Sequence, residues 1–220
     1  MTERIDWDEA YRQEQAPAWN LGEPQPELAK LIDREGAVRG EVLDAGCGYA
    51  ELSLALAARG YRVVGVELTP TAVEIATATA KERGLSNVTF VQADISSLTG
   101  FDGRFSTIFD SGLLHALPAD ARDNYLQSMY RAATAGAKFY ILAFGAGAFP
   151  GYTEPLPAQF SEDELRDLVS KYFHVDEIRP ASLCATNTAL PVGSESSTVA
   201  AEERGWVPLP GWLVTASKEN

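Results

Sequence analysis

From residue 41 onward the chain alternates short apolar runs of strand length with segments of helical period, and nothing else in the sequence narrows its fold as much. The strand-like runs cover 41–45, 62–66, 88–92, 105–109 and 137–144, and helix-like segments occupy 51–59, 70–83 and 119–133. Gly60 and Gly84 stand where C-terminal caps belong, and Thr69-Pro70 supplies an N-cap followed by a first-turn proline. Strands separated by helices in this way lie parallel in one sheet with helices on both faces. Ser161-Glu-Asp-Glu164 is a capping box that opens another helix, reaching about Tyr172. Two final strands follow at 175–182 and 212–218 with no helical pattern between them, so they are expected to pair antiparallel. The expected fold is a Rossmann-like α/β sheet of seven strands, mostly parallel, the last antiparallel. The stretch 183–210 reads as a long loop, a length more often functional than neutral.

Ahead of the sheet, 6–15 reads as a short helix, 16–26 as irregular because of its three prolines and glycine, and 27–35 as a second helix. No repeat or low-complexity linker interrupts the 220 residues, so they read as one domain, 1–220, with 1–26 as an extension of a 27–220 core. The chain carries 18 basic and 31 acidic side chains, a net charge of −13. That balance repels phosphate backbones and anionic lipid, and no basic cluster offsets it, so neither nucleic acid nor membrane is an expected partner. The start lacks the charged and apolar regions of a secretion signal, and no apolar stretch is long enough to cross a bilayer, which points to the cytoplasm. The two cysteines, Cys47 and Cys184, are expected to be reduced thiols, and no metal-ligand spacing is present.

In an open α/β sheet the ligand lies beyond the carboxyl ends of the strands. The first strand runs into Asp44-Ala-Gly46-Cys-Gly48, the second into Glu67, the third into Asp94 and the fourth into Asp110. Four successive strands therefore end in an acid. A glycine loop alone is also compatible with a dinucleotide, but Glu51 occupies the position where that fingerprint wants Gly or Ala, and the acids would repel a phosphate. A ligand that presents an ammonium, a sulfonium, ribose hydroxyls and an adenine amine, such as S-adenosylmethionine, suits them. Glu67, nineteen positions past Gly48, is placed to accept both ribose hydroxyls, Asp94 to accept the adenine amine with Ile95 packing on the ring, and Asp44 with the glycine backbone to hold the methionine end.

Val42-Leu-Asp-Ala-Gly-Cys-Gly48, Val64-Gly-Val-Glu67, Val91-Gln-Ala-Asp94 and Phe105-Ser-Thr-Ile-Phe-Asp110 together resemble the successive motifs of class I S-adenosylmethionine-dependent methyltransferases. The resemblance covers roughly residue 27 to the C-terminus. It implies a methyltransferase whose cofactor, leaving as S-adenosylhomocysteine, meets Asp44, Gly46, Gly48, Glu67, Leu68, Asp94, Ile95 and Asp110. Trp7, Tyr11 and Ala18-Trp-Asn-Leu-Gly-Glu-Pro-Gln-Pro26 resemble the opening of small-molecule methyltransferases related to the thiopurine, thiol and tellurite enzymes, and most of all a mycobacterial group that methylates heterocyclic toxins such as 2-alkyl-1-hydroxyquinolin-4-ones. In that group the segment folds over the cofactor as a lid, which would bring Tyr11 and Trp19 to the site. The usual Pro-Trp-Asp stands here as Ala18-Trp19-Asn20. Trp7, Tyr11 and Trp19 are equally readable as anchors of the extension alone.

Methyl transfer is an in-line displacement in which positioning and exclusion of water supply most of the rate, and a base is required only for an acceptor still protonated at working pH. His115, after the fourth strand, is the best-placed titratable side chain: its imidazole, ordinarily near ~6.5, suits a base or an anion-binding donor. A backbone-bonded structural histidine is the competing reading. Leu114, Phe144, Phe149, Tyr152 and, from the long segment, Trp206 are candidates for walls around a flat acceptor, or else for loop anchors. The expected activity is methylation of a hydroxyl on a small heteroaromatic, in the service of detoxification. S-methylation of a thiol or thiopurine by the same fold is the alternative, followed by a NAD-dependent oxidoreductase and a non-catalytic binding module.

Overall fold

The structure, a computed structural model, describes residues 6–13, 16–151, 156–186 and 204–219. Helices α1 (Trp7–Arg12) and α2 (Pro26–Ile32) precede the sheet, which then builds as β1 (Val42–Ala45), α3 (Glu51–Ala58), β2 (Val63–Glu67), α4 (Pro70–Glu82), β3 (Val88–Gln92), β4 (Phe105–Ser111), α5 (Arg122–Ala132), β5 (Ala133–Phe144), α6 (Glu162–Val169), β6 (His174–Thr186) and β7 (Trp206–Ser217). Asp94 caps a short 3-10 turn at Ile95–Ser97 between β3 and β4. The strand order is β3-β2-β1-β4-β5-β7-β6. The first five strands run parallel, and β7 lies antiparallel between β5 and β6. The order turns back between β1 and β4, which opens a crevice beyond their carboxyl ends.

Side chains on alternate strand positions feed two cores. Leu43, Ile108, Phe139, Ile141 and Val214 pack with Tyr125, Leu126 and Met129 of α5 and Leu165 and Val169 of α6. Val42, Phe109, Tyr140, Leu142 and Leu213 pack on the other face with Leu28, Leu31 and Ile32 of α2 and Leu52 and Leu56 of α3. Each of these large side chains stabilises the fold by roughly 1.5–3 kcal/mol when fully buried. The expected capping box is formed: the Ser161 backbone N–H and hydroxyl both donate to Glu164 Oε2, at 2.7 and 2.9 Å, and the Glu164 N–H donates back to Ser161 Oγ.

The main departure from the sequence expectation is the stretch 183–210. Its two ends are strand, paired from Leu183↔Leu209 through Thr186↔Trp206, while 187–203 lies outside the described residues. Pro208 and Pro210 stand inside β7, where a proline cannot donate to a ladder. They are accommodated because β5 pairs with β7 only as far as Phe144↔Gly211, so beyond that point β7 has a ladder partner on one side alone. Strand β5 also starts earlier than expected, at Ala133, with a register break against β4 between Phe105 and Thr107 and Gly136 at φ +70°.

Candidate active site

After β1 the chain turns through Gly46 and Gly48, at φ +66° and +53°. The Gly46 and Cys47 N–H groups donate to Val66 O at 2.8 and 3.1 Å, which holds the loop over the end of β2. A Cβ on Gly46 would stand 2.8 Å from Leu113 Cδ1, and one on Gly48 2.8 Å from the Tyr11 hydroxyl. Glycine is therefore required at both places by conformation and by space.

The four strand-end acids divide. Glu67 receives the Gly48 N–H on Oε2 at 3.1 Å and the Thr69 N–H on Oε1 at 3.0 Å, so one carboxylate links the glycine loop to the start of α4. Each oxygen keeps a second lone-pair site. Asp94 is exposed, with Oδ1 accepting from the Ser96 N–H and hydroxyl at 2.8 and 2.7 Å. Asp44 is 1% exposed; Ser53 holds its carboxylate, Oγ donating to Oδ2 at 2.6 Å and the Ser53 backbone adding a second bond. Burial pushes the Asp44 carboxyl up to about 6.

Asp110 is a correction to the sequence expectation. It is fully buried, and its two oxygens accept from the Leu113 N–H at 2.7 Å, the Leu114 N–H at 3.1 Å and the Tyr125 hydroxyl at 2.8 Å. It closes the turn after β4 and presents no surface to a ligand; burial raises it to about 7. Leu114, at 0% exposure, likewise belongs to the core rather than to a ligand wall, and Ile95, at 6%, packs in the same core beside Asp94.

The N-terminal segment covers the glycine loop. Tyr11 stacks edge-on against Tyr49 and Trp19, with ring centroids 5.0 and 6.5 Å away, and Trp7 meets Trp19 at 5.8 Å. Burial, with the Glu67 charge, raises the Tyr11 phenol well above its ordinary range, so it stays protonated. Asp8 accepts from the Thr71 N–H at 3.2 Å, fixing α1 to the start of α4. Farther along, the Gln25 amide pairs with the Cys184 backbone through two bonds, of 2.9 and 2.8 Å, and the Thr186 N–H donates to Ala18 O at 2.7 Å. The segment is thereby laced to β6. Trp19 and Leu68 remain 46% and 55% exposed, the two large apolar side chains so exposed among the described residues, and both lie beside the loop and acids.

Beyond β4 and β5 the wall is aromatic. The His115 and Phe144 rings lie 4.2 Å apart, and Phe149 meets Phe144 edge-on at 4.8 Å. The Phe144 N–H donates to His115 Nδ1 at 3.3 Å. An amide N–H can only donate, so the neutral ring carries its proton on Nε2. Burial and the Arg122 charge lower the imidazole to about 3, so it is neutral throughout the physiological range. Nδ1 is occupied and Nε2 already protonated, so the expected role as a general base does not fit. Trp206 sits in β7 opposite Thr186 under the Arg204 guanidinium, 5.0 Å from the ring centroid, rather than in a loop. Tyr152 lies outside the described residues. Both thiols are free, and burial raises them above the range of a reactive cysteine.

Ser53, Leu113, Gln25 and Arg122 were not anticipated. The first two carry no chemical signal of their own in the sequence. Arg122, by contrast, is the one basic residue in the segment following His115 up to α5, and that could have marked it.

A buried carboxylate at Asp44, a loop whose Gly46 and Gly48 leave the backbone open, an acid that accepts through both oxygens and an exposed Leu68 suit a cationic nucleoside without phosphate, as S-adenosylmethionine is. Comparison with known proteins agrees. Residues 42–136 match the family model described as a methyltransferase domain. The chain is 48% identical, over 92% of its length and 89% of the relative's, to a 2-heptyl-1-hydroxyquinolin-4(1H)-one methyltransferase of Mycobacteroides abscessus. It is 28% identical, over 63% of its length and 61% of the relative's, to a probable thiol methyltransferase of Arabidopsis thaliana. A solved structure concerned with converting a disulfide bond into a thioacetal group during echinomycin biosynthesis superposes with a TM-score of 0.80 at 31% identity, covering 97% of this chain and 91% of that one. The dehydrogenase reading falls away, and the chain belongs to the S-adenosylmethionine-dependent methyltransferases.

Proposed function

We propose that the protein methylates a hydroxyl oxygen on a small heteroaromatic acceptor of the hydroxyquinolone type. The 48% identity to the mycobacterial hydroxyquinolone enzyme, running through nearly the whole of both chains, carries this reading. S-adenosylmethionine supplies an electrophilic methyl group when bound. Glu67 would hold the ribose hydroxyls, Asp94 the adenine amine, and Asp44 with the glycine-loop backbone the ammonium, while Leu68 covers the ring. Segment 1–26 would act as the cover within a single domain, with Tyr11 and Trp19 excluding water above Gly48. His115, Phe144 and Phe149 would line the acceptor chamber. The net charge of −13 argues against a nucleic-acid substrate, and no described helix is long and apolar enough to cross a membrane. A cytoplasmic role in removing toxic heterocycles accords with this reading.

A sulfur acceptor is the second reading, favoured by the thiol methyltransferase relative and the disulfide chemistry attached to the similar structure. Competition between a 2-alkyl-1-hydroxyquinolin-4-one and an aryl thiol at equal concentration and pH separates them. Preferential formation of the methoxy product is expected. Preferential thioether formation would move the assignment to sulfur, and tight S-adenosylhomocysteine binding with no transfer to either would leave a binding module.

A further inference from the structure

We propose that His115 Nε2–H, backed by the positive charge of Arg122, is a receptor for the acceptor's oxygen in its deprotonated form, so that the enzyme binds the acceptor as an anion and takes no proton from it. The inference rests on the acceptor reading above and specifies the state in which that acceptor enters.

The geometry is specific. His115 is 8% exposed, its Nδ1 is filled by the Phe144 N–H, and Nε2 has no hydrogen-bond partner among the described residues. Nor is Nε2 among the side-chain atoms sealed from the surface without a partner, of which Thr69 Oγ1 is the one described case. A buried N–H donor thus faces an opening. Gly112, at φ +92°, keeps that edge of the ring clear: a Cβ there would lie 3.2 Å from His115 Cε1 and 3.5 Å from Nε2.

The charged groups around the ring are few. From α5, Arg122 donates through Nε to Leu117 O at 3.1 Å and lies over the Phe160 ring at 5.1 Å. It acts on the imidazole electrostatically, and Glu164 of α6 faces Arg122 from behind. Asp110, beneath the turn, has both oxygens engaged. From β5, Phe144 packs on the ring and brings no charge. A cation that opposes protonation of a neighbouring ring favours an anion in the same place. In an acidic chain this corner is therefore suited to an oxyanion.

The step then balances without an enzyme base. The acceptor O–H has given its proton to solvent before binding. An oxygen lone pair forms the O–C bond as the C–S bond breaks, and that bonding pair stays on sulfur.

Two measurements test this on the whole protein. In the first, 1-hydroxyquinolin-4-one is titrated into protein saturated with S-adenosylhomocysteine, about one pH unit below the free acceptor's own ionisation, and its ultraviolet spectrum is followed. The bound acceptor is expected to absorb as the anion; a neutral bound spectrum overturns the proposal. In the second, kcat/KM is followed against pH for acceptors of graded acidity, in wild type, His115→Phe and His115→Gln. The acidic limb should move with the acceptor and not with the variant. His115→Phe should lose about tenfold to a hundredfold, the worth of a hydrogen bond to a charged group. His115→Gln, whose amide can place an N–H near Nε2, should recover most of that. A limb that stays fixed across acceptors and vanishes in His115→Gln marks a base and overturns the inference while leaving the acceptor reading intact. No binding or turnover with any such acceptor overturns both.

Discussion

Replacing Glu67 by glutamine keeps shape and removes charge, and its cost divides into two parts that can be measured separately. The carboxylate accepts from Gly48 N–H at 3.1 Å and Thr69 N–H at 3.0 Å. Glutamine has one acceptor oxygen, so one of those N–H groups would face an amide N–H instead. An unsatisfied buried donor costs about 1–3 kcal/mol, and the urea midpoint should fall accordingly. The second part belongs to the cofactor. If both ribose hydroxyls donate to the carboxylate, weakening two charge-assisted bonds to neutral ones removes about 2–4 kcal/mol, or about 30-fold to 1,000-fold in Kd. Calorimetric titration with S-adenosylhomocysteine at a urea-free temperature well below the variant's Tm reads this directly. A Kd within threefold of wild type in a folded Glu67→Gln protein would refute the bidentate role and reduce Glu67 to a brace for the glycine loop.

Three further outcomes are expected. Asp110 is held up at about 7 and Asp44 at about 6, so the folded state retains protons that the unfolded chain releases near ~4. Stability contributed by these groups is present at low pH and lost as pH rises to about 7. Urea midpoints should therefore fall between pH 5 and 7, and Asp110→Asn should flatten the fall; a midpoint that rises through this window contradicts the assignment. Gly48→Ala meets both φ +53° and the Tyr11 hydroxyl, and in Tyr11→Phe the next ring atom is 3.7 Å away. The backbone penalty of roughly 1–2 kcal/mol should persist in the double variant, while the further loss of about 1 kcal/mol from the hydroxyl contact should be recovered, as measured by a double-mutant cycle. Gln25→Ala removes the paired bonds to Cys184 and should cost about 1–2 kcal/mol in thermal unfolding while weakening S-adenosylhomocysteine binding; unchanged affinity would separate this lacing from the site.

Much of the sheet was legible because period and punctuation agree: Gly60, Gly84 and the Ser161–Glu164 box each mark an end that local chemistry enforces, while at Thr69-Pro70 the proline marks the start of α4 and Thr69 stands at the N-cap without a capping bond from its hydroxyl. The β6–β7 ribbon was not, because Pro208, Pro210 and Gly211 look like loop residues until the staggered end of β5 leaves one side of β7 unpaired. The acids were found as a set but could not be sorted. Whether a strand-end carboxylate looks outward or folds back depends on the N–H groups of the next turn. Asp110-Ser-Gly-Leu-Leu114 offers two of them three and four residues on, a local motif that predicts capping. His115 follows β4 as its position implies, yet its tautomer depends on the Phe144 N–H, 29 residues away in sequence, and no local pattern encodes that bond.

The central claim is oxygen methylation of a heteroaromatic hydroxyl at this site. Its most direct test is incubation of the protein with S-adenosylmethionine carrying a trideuterated methyl group and 2-heptyl-1-hydroxyquinolin-4-one, with the product resolved by mass spectrometry and its methyl position by carbon NMR. A mass gain of one labelled methyl and a methyl carbon at the chemical shift of an N–O–CH3 group are expected. A label found on ring nitrogen, on carbon, or on no product despite cofactor binding would contradict oxygen methylation.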